Sequence, residues 1–184
     1  MDKKSLRLEL LQKRKGIDKE LKAKWDIEIS KGICNLDYFK NAKQVLVFSS
    51  TEYEFDTRYI IERCREQRKR VFYPVCIDKN GNMKFLKVDS IGDLQLGKFG
   101  ILEPKNTCKP FSPTQFDIII VPNLSVDKSK NRIGYGKGYY DRFLKNFMGI
   151  SICPCYETML TDTIPVDELD EKVQIIVTNK EVIL

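Results

Sequence analysis

The chain has 184 residues, 42% of them hydrophobic and 32% charged, with a formal net charge of +6. That is enough chain for one domain with a sizeable core, expected over residues 1–184, and no apolar run reaches the length a membrane span needs. Histidine is absent, which removes Ser-His-Asp and Cys-His catalysis, imidazole bases and imidazole metal ligands. The six cysteines include no paired Cys-x-x-Cys motifs with zinc spacing, and the first residues show no signal-peptide core. Reduced thiols in a cytoplasmic protein are the expectation.

Residues 3–15 read as a helix with Leu6 and Leu10 on one face and Lys3, Arg7 and Arg14 on another. Gly16 is its stop. Asp18 caps a second helix, running to about Cys34 and carrying Leu21, Trp25, Ile29 and Ile33. Val45-Leu46-Val47-Phe48 is a buried strand. A polar loop, Ser49 to Phe55, follows, and Asp56 or Thr57 then caps a helix with Ile60, Ile61 and Cys64 inward. Val71 to Val75 is the next strand. This strand–helix–strand unit predicts a parallel pair.

Cys76 to Val88 reads as a hairpin, with Asn80-Gly81 as a type I′ turn. Residues 89–96 read as a surface turn, and Gly97 to Pro104 as a second glycine-punctuated connection. Phe116-Asp117-Ile118-Ile119-Ile120-Val121, within 115–121, is the strongest buried strand, ended by Pro122. A helix is expected from Gly138 to about Phe147, then strands over 149–156 and 173–178 with an acidic segment between. The fold class is α/β: a three-layer α/β/α arrangement on a mostly parallel sheet. Such sheets bind ligands beyond the carboxyl ends of their strands, so the loops after Phe48, Val121 and Tyr156 should share one edge.

The stretch Asn131-Arg132-Ile133-Gly134-Tyr135-Gly136-Lys137-Gly138-Tyr139-Tyr140-Asp141 stands out. Glycines let the backbone approach a ligand and adopt positive φ. A helix start, Arg132 and Lys137 add positive charge, which together describe an anion cradle. The spacing is neither a Walker A loop nor a dinucleotide fingerprint; on spacing alone a solvated glycine turn competes. For Tyr139 and Tyr140 core packing competes with ligand contact. For Asp141 the competitor is stabilisation of the helix dipole, and for Asp170 it is a solvated acidic loop. With phosphate and carboxylates together, Mg²⁺ is the natural metal.

The string from Asn131 to Leu144 resembles the signature of the 5-formyltetrahydrofolate cyclo-ligase (5,10-methenyltetrahydrofolate synthetase) family. Lys3-Lys4-Ser5-Leu6-Arg7, Glu54-Phe55-Asp56-Thr57, Phe99 to Pro104, Val121 to Asp127 and Ile164 to Asp170 resemble further family segments in the same order. The resemblance implies the α/β/α fold and a reaction: ATP- and Mg²⁺-dependent cyclisation of 5-formyltetrahydrofolate, free or polyglutamated, to 5,10-methenyltetrahydrofolate. ATP contacts are implied at Lys3, Lys4, Ser5, Leu6 and Arg7 and from Arg132 through Ile133, Gly134, Tyr135, Gly136, Lys137, Gly138 and Tyr139 to Tyr140. Folate contacts are implied at Ser49, Glu54, Phe99, Tyr135, Gly136, Lys137, Gly138 and Tyr139. Lys137, Arg132 and Tyr140 take the catalytic roles, and Asp141 and Asp170 the Mg²⁺. A monomer that binds neither membrane nor nucleic acid is expected.

Two positions depart from the family pattern. Asn123 stands where Gly is usual, and would suit a left-handed turn better than most residues; Ser49 stands where an apolar side chain often meets the folate. Two other readings compete. One is a binding module that keeps the fold without activity and presents its basic surface to RNA, which salt-sensitive RNA binding without ATP would favour. The other is an enzyme of the sugar-phosphate isomerase or CoA-transferase folds, which would not need Asp141 and Asp170.

Overall fold

Ile118–Ile120, fully buried, form the central strand of a seven-stranded sheet. The computed structural model describes all residues except Met1, Lys79, Lys98, Phe99, Gln115 and Phe116. In chain order the elements are α1 (Lys3–Lys15), α2 (Lys19–Asn35), α3 (Asp37–Asn41), β1 (Gln44–Leu46), α4 (Arg58–Glu66), β2 (Arg70–Cys76), β3 (Met83–Lys87), β4 (Leu94–Leu96), β5 (Leu102–Pro104) and β6 (Ile118–Ile120). Then come β7 (Ser125–Val126), β8 (Arg132–Ile133), α5 (Tyr139–Leu144), β9 (Ile150–Pro154), β10 (Ile175–Val177) and β11 (Val182–Ile183). Strand order is β11-β10-β9-β6-β1-β2-β3. The inner pairs are parallel, and only the two edge strands run antiparallel.

The parallel strands are covered on both faces, so they are continuous apolar runs rather than alternating ones. Val45 and Leu46 pair with Val71 and Phe72 on one side and with Ile118 and Ile119 on the other. Burying each such side chain is worth about 1.5–3 kcal/mol. Helices α2 and α4 pack together, α2 against β9 and β10 and α4 against β2. Side chains alternate along β2: Tyr73 lies near Cys64 and Arg65 of α4, while Phe72 meets Phe111, which stacks on Phe147. Phe143 of α5 packs on Phe85 of β3. The sheet therefore has helices on both faces.

The helix caps follow the sequence closely. Asp2 accepts from the N–H groups of Lys4 and Ser5, and Asp18 from those of Glu20 and Leu21. Gly16 ends α1. Asp56, not Thr57, supplies a side-chain acceptor at the start of α4, to the Arg58 N–H at 2.9 Å.

Several expectations are corrected. The hairpin forms, with Cys76 opposite Met83, but its turn is not type I′, which needs positive φ at both central residues. Gly81 has φ +91, whereas Asn80 is not among the described residues with positive φ. A four-residue loop is closed by the Ile77 N–H donating to the Asn82 carbonyl at 2.8 Å. The Asp78 carboxylate inside it accepts from the backbone N–H groups of Asn80 and Asn82. Leu94–Leu96 and Leu102–Pro104 pair antiparallel, β4 against β5, where a plain turn and connection were expected. Helix α5 ends at Leu144, although Phe147 is still held by a bond to the Leu144 carbonyl.

Asn123 does not use left-handed geometry. It is buried, and its amide donates to the Pro154 carbonyl at 2.6 Å, tying the loop after β6 to β9.

Candidate active site

After β1 the chain builds the sheet toward β2; from β6 it builds the other way, through β9 to β10. Between β1 and β6 the direction of building reverses, which is where an open α/β sheet leaves a crevice. A cavity of about 800 Å³ opens there, within the range of small-molecule sites. The loop after β1 contributes Phe48, Ser49 and Glu54; that after β6 contributes Pro122 and the run Arg132 to Asp141. Lys3 and Arg7 of α1, Cys76 of β2, Ile101 to Glu103, and the acidic segment Asp167 to Glu171 also line it.

The glycine run is shaped as its composition requires. Gly136 and Gly138 have φ of +91 and +68, which L side chains rarely adopt. A Cβ at Gly136 would also press within 3.1 Å of the Arg7 guanidinium. Arg7 in turn donates from Nε to the Gly134 carbonyl at 3.0 Å, fastening α1 to the run. The tip of the β2–β3 hairpin docks on the same segment: Tyr139 donates to the Asp78 carbonyl at 3.0 Å, and a Cβ at Gly81 would collide with Arg142. Because α5 has only six residues, its dipole is smaller than a long helix would supply. The positive potential must come chiefly from side chains and free N–H groups.

Two of the cations are paired. Arg132 is buried; its Nη2 donates to Asp141 Oδ1 at 2.6 Å and its Nη1 to the Pro122 carbonyl at 3.2 Å. Lys3 bridges Asp167, at 2.6 Å, and Asp170. Lys137 is exposed and forms no ion pair among the described residues.

The tyrosines serve as donors. Tyr140 lies against Arg132, with the guanidinium 6.0 Å from the ring centroid, and its buried hydroxyl has no hydrogen-bond partner. Burial first, then the nearby Glu54 carboxylate, holds its pKa above the ordinary 10.0. Tyr135 is 47% exposed, yet its hydroxyl end sits beside Glu54 and Arg14; burial and then Glu54 push its pKa up as well. Both remain protonated at neutral pH and can donate but not act as bases.

The loop after β1 is braced from within. Glu54 is buried, and its Oε2 accepts from the Thr51 N–H at 2.9 Å and the Thr51 hydroxyl at 2.8 Å. Ser49 donates to the Leu102 carbonyl at 2.6 Å, joining this loop to β5.

Asp141 and Asp170 both reach the cavity, and the Glu171 N–H approaches Asp141 Oδ1 at 3.5 Å. No group of three or more carboxylate or thiol residues converges into a metal set among the described residues. The oxygen donors present, Asp141 and Asp170 on the cavity wall, are of the type that fits Mg²⁺, which is commonly held by one or two carboxylates with waters and phosphate oxygens.

Of the N-terminal residues expected at the site, Lys3 and Arg7 line the cavity. Lys4 and Ser5 are exposed outside it, and Leu6 packs into the core. Phe99 lies outside the described residues. Residues not singled out from sequence also line the site: Cys76, Arg142, Lys145 and Asp167. The available signal was adjacency: Arg142 continues the glycine string, and Asp167 stands three residues before Asp170. Buried Arg14 does not line the cavity but braces its wall. Its guanidinium donates to the Asn123 and Leu124 carbonyls at 2.6 and 3.0 Å behind Tyr135, and its only signal was the face it shares with Lys3 and Arg7.

The profile of the 5-formyltetrahydrofolate cyclo-ligase family matches residues 1–179. The chain belongs to this family. As a cyclo-ligase family member it is an enzyme of the ligase class. It is 32% identical over 146 residues to the 5-formyltetrahydrofolate cyclo-ligase of Escherichia coli, covering 77% of this chain and 80% of that one. It is 28% identical to a probable 5-formyltetrahydrofolate cyclo-ligase of Schizosaccharomyces pombe, covering 85% of each. Among solved structures, the 5,10-methenyltetrahydrofolate synthetase of Aquifex aeolicus superposes with a TM-score of 0.87 at 29% identity, over 99% of this chain and 92% of that one. The synthetase of Mycoplasma pneumoniae, at 24% identity and a TM-score of 0.77, supports the fold. No helix among the described residues is long and apolar enough to cross a membrane.

Proposed function

We propose that this chain cyclises 5-formyltetrahydrofolate to 5,10-methenyltetrahydrofolate with ATP and Mg²⁺, releasing ADP and phosphate through a phosphorylated formyl intermediate. The observation that carries the reading is the meeting, in one cavity, of the glycine run with its cations, two acidic side chains suited to Mg²⁺, and a buried carboxylate on the loop after β1.

A formamide oxygen is a poor leaving group. Attack of that oxygen on the γ-phosphorus breaks the bond to ADP and makes the oxygen part of a phosphate ester. The N10 nitrogen then attacks the activated carbon, the C–O bond breaks, phosphate leaves, and N10 loses its proton. The sequence needs charge stabilisation and alignment more than a strong base, so the absence of histidine is no obstacle.

Lys137, unpaired among the described residues, stabilises the transferring phosphoryl group. Arg132, fixed by Asp141 and the Pro122 carbonyl, forms a rigid positive wall. Tyr140 offers its unsatisfied hydroxyl to the reacting formyl group. Gly134, Gly136 and Gly138 let the backbone approach the phosphates, while Lys3 and Arg7 close the site from α1. Glu54 accepts hydrogen bonds from the pterin, and Ser49 and Tyr139 line the folate path. Asp141 and Asp170 hold Mg²⁺, which supplies charge neutralisation for the phosphates. Lys4, Ser5 and Leu6 fall outside this set, since none of their side chains lines the cavity. The protein acts as a single-domain cytoplasmic monomer; its six cysteines are free, in keeping with that compartment.

The test is absorbance in the methenyl-folate band as the purified protein meets 5-formyltetrahydrofolate. The expected result is a rise that requires both ATP and Mg²⁺. No rise, with the protein folded and ATP bound, overturns the reading. RNA binding that weakens with salt and needs no ATP would instead favour a binding module.

A further inference from the structure

Asp167 has no part in the reading above, yet it lines the cavity and grips one of that site's cations. Lys3 Nζ lies 2.6 Å from Asp167 Oδ2 and also binds Asp170. An ammonium has three N–H donors, so two are committed to carboxylates. The Asp170 carboxylate additionally accepts the Asp167 N–H at 2.7 Å, which fixes the two acids relative to each other. The Lys3 side chain is 16% exposed and that of Asp170 26%, whereas that of Asp167 is 74% exposed. One positive charge shared by two negative ones leaves the group net anionic beside the place proposed for a polyanion.

We propose that Asp167 is a specificity residue that makes the site discriminate against nucleotide without metal. This rests on the reading of the cavity as an ATP site. With metal-free ATP, Lys3 must serve phosphate while Asp167 and Asp170 both repel it. With Mg–ATP, Asp170 turns to the cation, and Lys3, left with one carboxylate, is neutral in sum and free to direct a donor at phosphate. Asp167 therefore costs metal-free ATP more than it costs Mg–ATP. Its exposure sets the scale: a solvent-screened pair is worth about 0.2–1 kcal/mol, or roughly a 1.4- to 5-fold change in affinity. Glu168 provides the contrast. It lines the same cavity and carries the same charge, but forms no ion pair with Lys3.

The experiment is calorimetric titration of the full chain with ATP, in EDTA and again in excess Mg²⁺. The five proteins are the unaltered chain, Asp167→Asn, Glu168→Gln, Asp167→Asn combined with Lys3→Met, and Lys3→Met alone. The quantity read is the ratio of the two dissociation constants, metal-free over Mg-bound. The expected result is a ratio about 1.4- to 5-fold lower in Asp167→Asn, arising from tighter metal-free binding. Glu168→Gln should keep the original ratio, and adding Asp167→Asn to Lys3→Met should change nothing further relative to Lys3→Met alone, the fifth protein. An unchanged ratio in Asp167→Asn, an equal fall in Glu168→Gln, or weakened Mg–ATP binding in Asp167→Asn overturns the inference while leaving the ATP site standing. Failure of the unaltered chain to bind ATP under either condition removes the ATP reading and this inference together.

Discussion

Two stretches of the cavity wall are built in opposite ways. The run from Arg132 to Asp141 is held from outside: by Arg7 of α1, by the hairpin tip at Asp78, and by the Pro122 carbonyl. The loop from Ser49 to Thr57 is held mostly from within: Thr51 on Glu54, and the Ser50 hydroxyl on the Thr57 N–H at 3.1 Å. The first wall assembles only when distant elements meet, and its charges line the cavity. The second can form early and presents one fixed carboxylate. Changes in the first wall should therefore appear in kcat, and also in stability at its fastened positions, and changes in the second in affinity for one ligand.

The largest effect expected is for Lys137→Ala. Removing a donor aimed at developing charge costs about 100- to 1,000-fold in kcat, with little change in melting temperature, since Lys137 is exposed. Steady-state turnover decides it, and near-normal turnover would remove Lys137 from the chemistry. Next is Glu54→Gln, which breaks the comparison from the other side. Losing a charged hydrogen-bond acceptor should raise KM for folate by about 10- to 150-fold, from 1.5–3 kcal/mol, and leave KM for ATP within about twofold.

Gly136→Ala sharpens the contrast in stability. Positive φ at a non-glycine residue costs about 1–2 kcal/mol, and the added methyl presses on Arg7. Thermal denaturation should show the loss together with reduced kcat. Tyr156→Phe removes the hydroxyl that donates to Asp26 Oδ1 at 2.7 Å, the same atom that receives the Asp56 N–H of the second wall at 3.3 Å. About 0.5–1.5 kcal/mol should be lost.

The smallest effect is on pH dependence. Burial acts to raise the Asp170 pKa, but the Lys3 ammonium and the Asp167 N–H outweigh it and hold the carboxyl below its ordinary 3.8. Stability from that contact is complete above the unfolded pKa and is lost as pH falls through the lower, folded value. Hydrogen-exchange protection across residues 160–174, taken relative to the intrinsic rate at each pH, should fall in that acid range, and Lys3→Met should lower it already at neutral pH.

The sheet was readable because its inner strands are short, dry apolar runs. Val45 to Phe48 and Ile118 to Ile120 have no other stable place, and the helix ends at Asp18 and Gly16 follow from local hydrogen bonding. The pairs β4–β5 and β7–β8 were not readable: strands of two or three residues carry no period, and their partners decide them. The turn at Asn80-Gly81 misled because Asp78, two residues upstream, captures the N–H groups that a type I′ turn would have arranged differently. At the site, the glycine run announced itself within eleven consecutive residues. The grip of Lys3 on Asp167 and Asp170 joins residues 164 and 167 positions apart, and no local pattern encodes such a meeting. Asn123 shows the same limit: the departure from glycine was visible, while its use, an amide tied to β9, came only with the fold.

The most direct test of the account follows the formyl oxygen. 5-Formyltetrahydrofolate labelled with ¹⁸O in its formyl group is converted in the presence of Mg–ATP, and the released phosphate is examined by ³¹P NMR. The account predicts one ¹⁸O in each phosphate formed, in step with methenyl-folate. Unlabelled phosphate, with the label released to water, would contradict transfer of the phosphoryl group to the formyl oxygen.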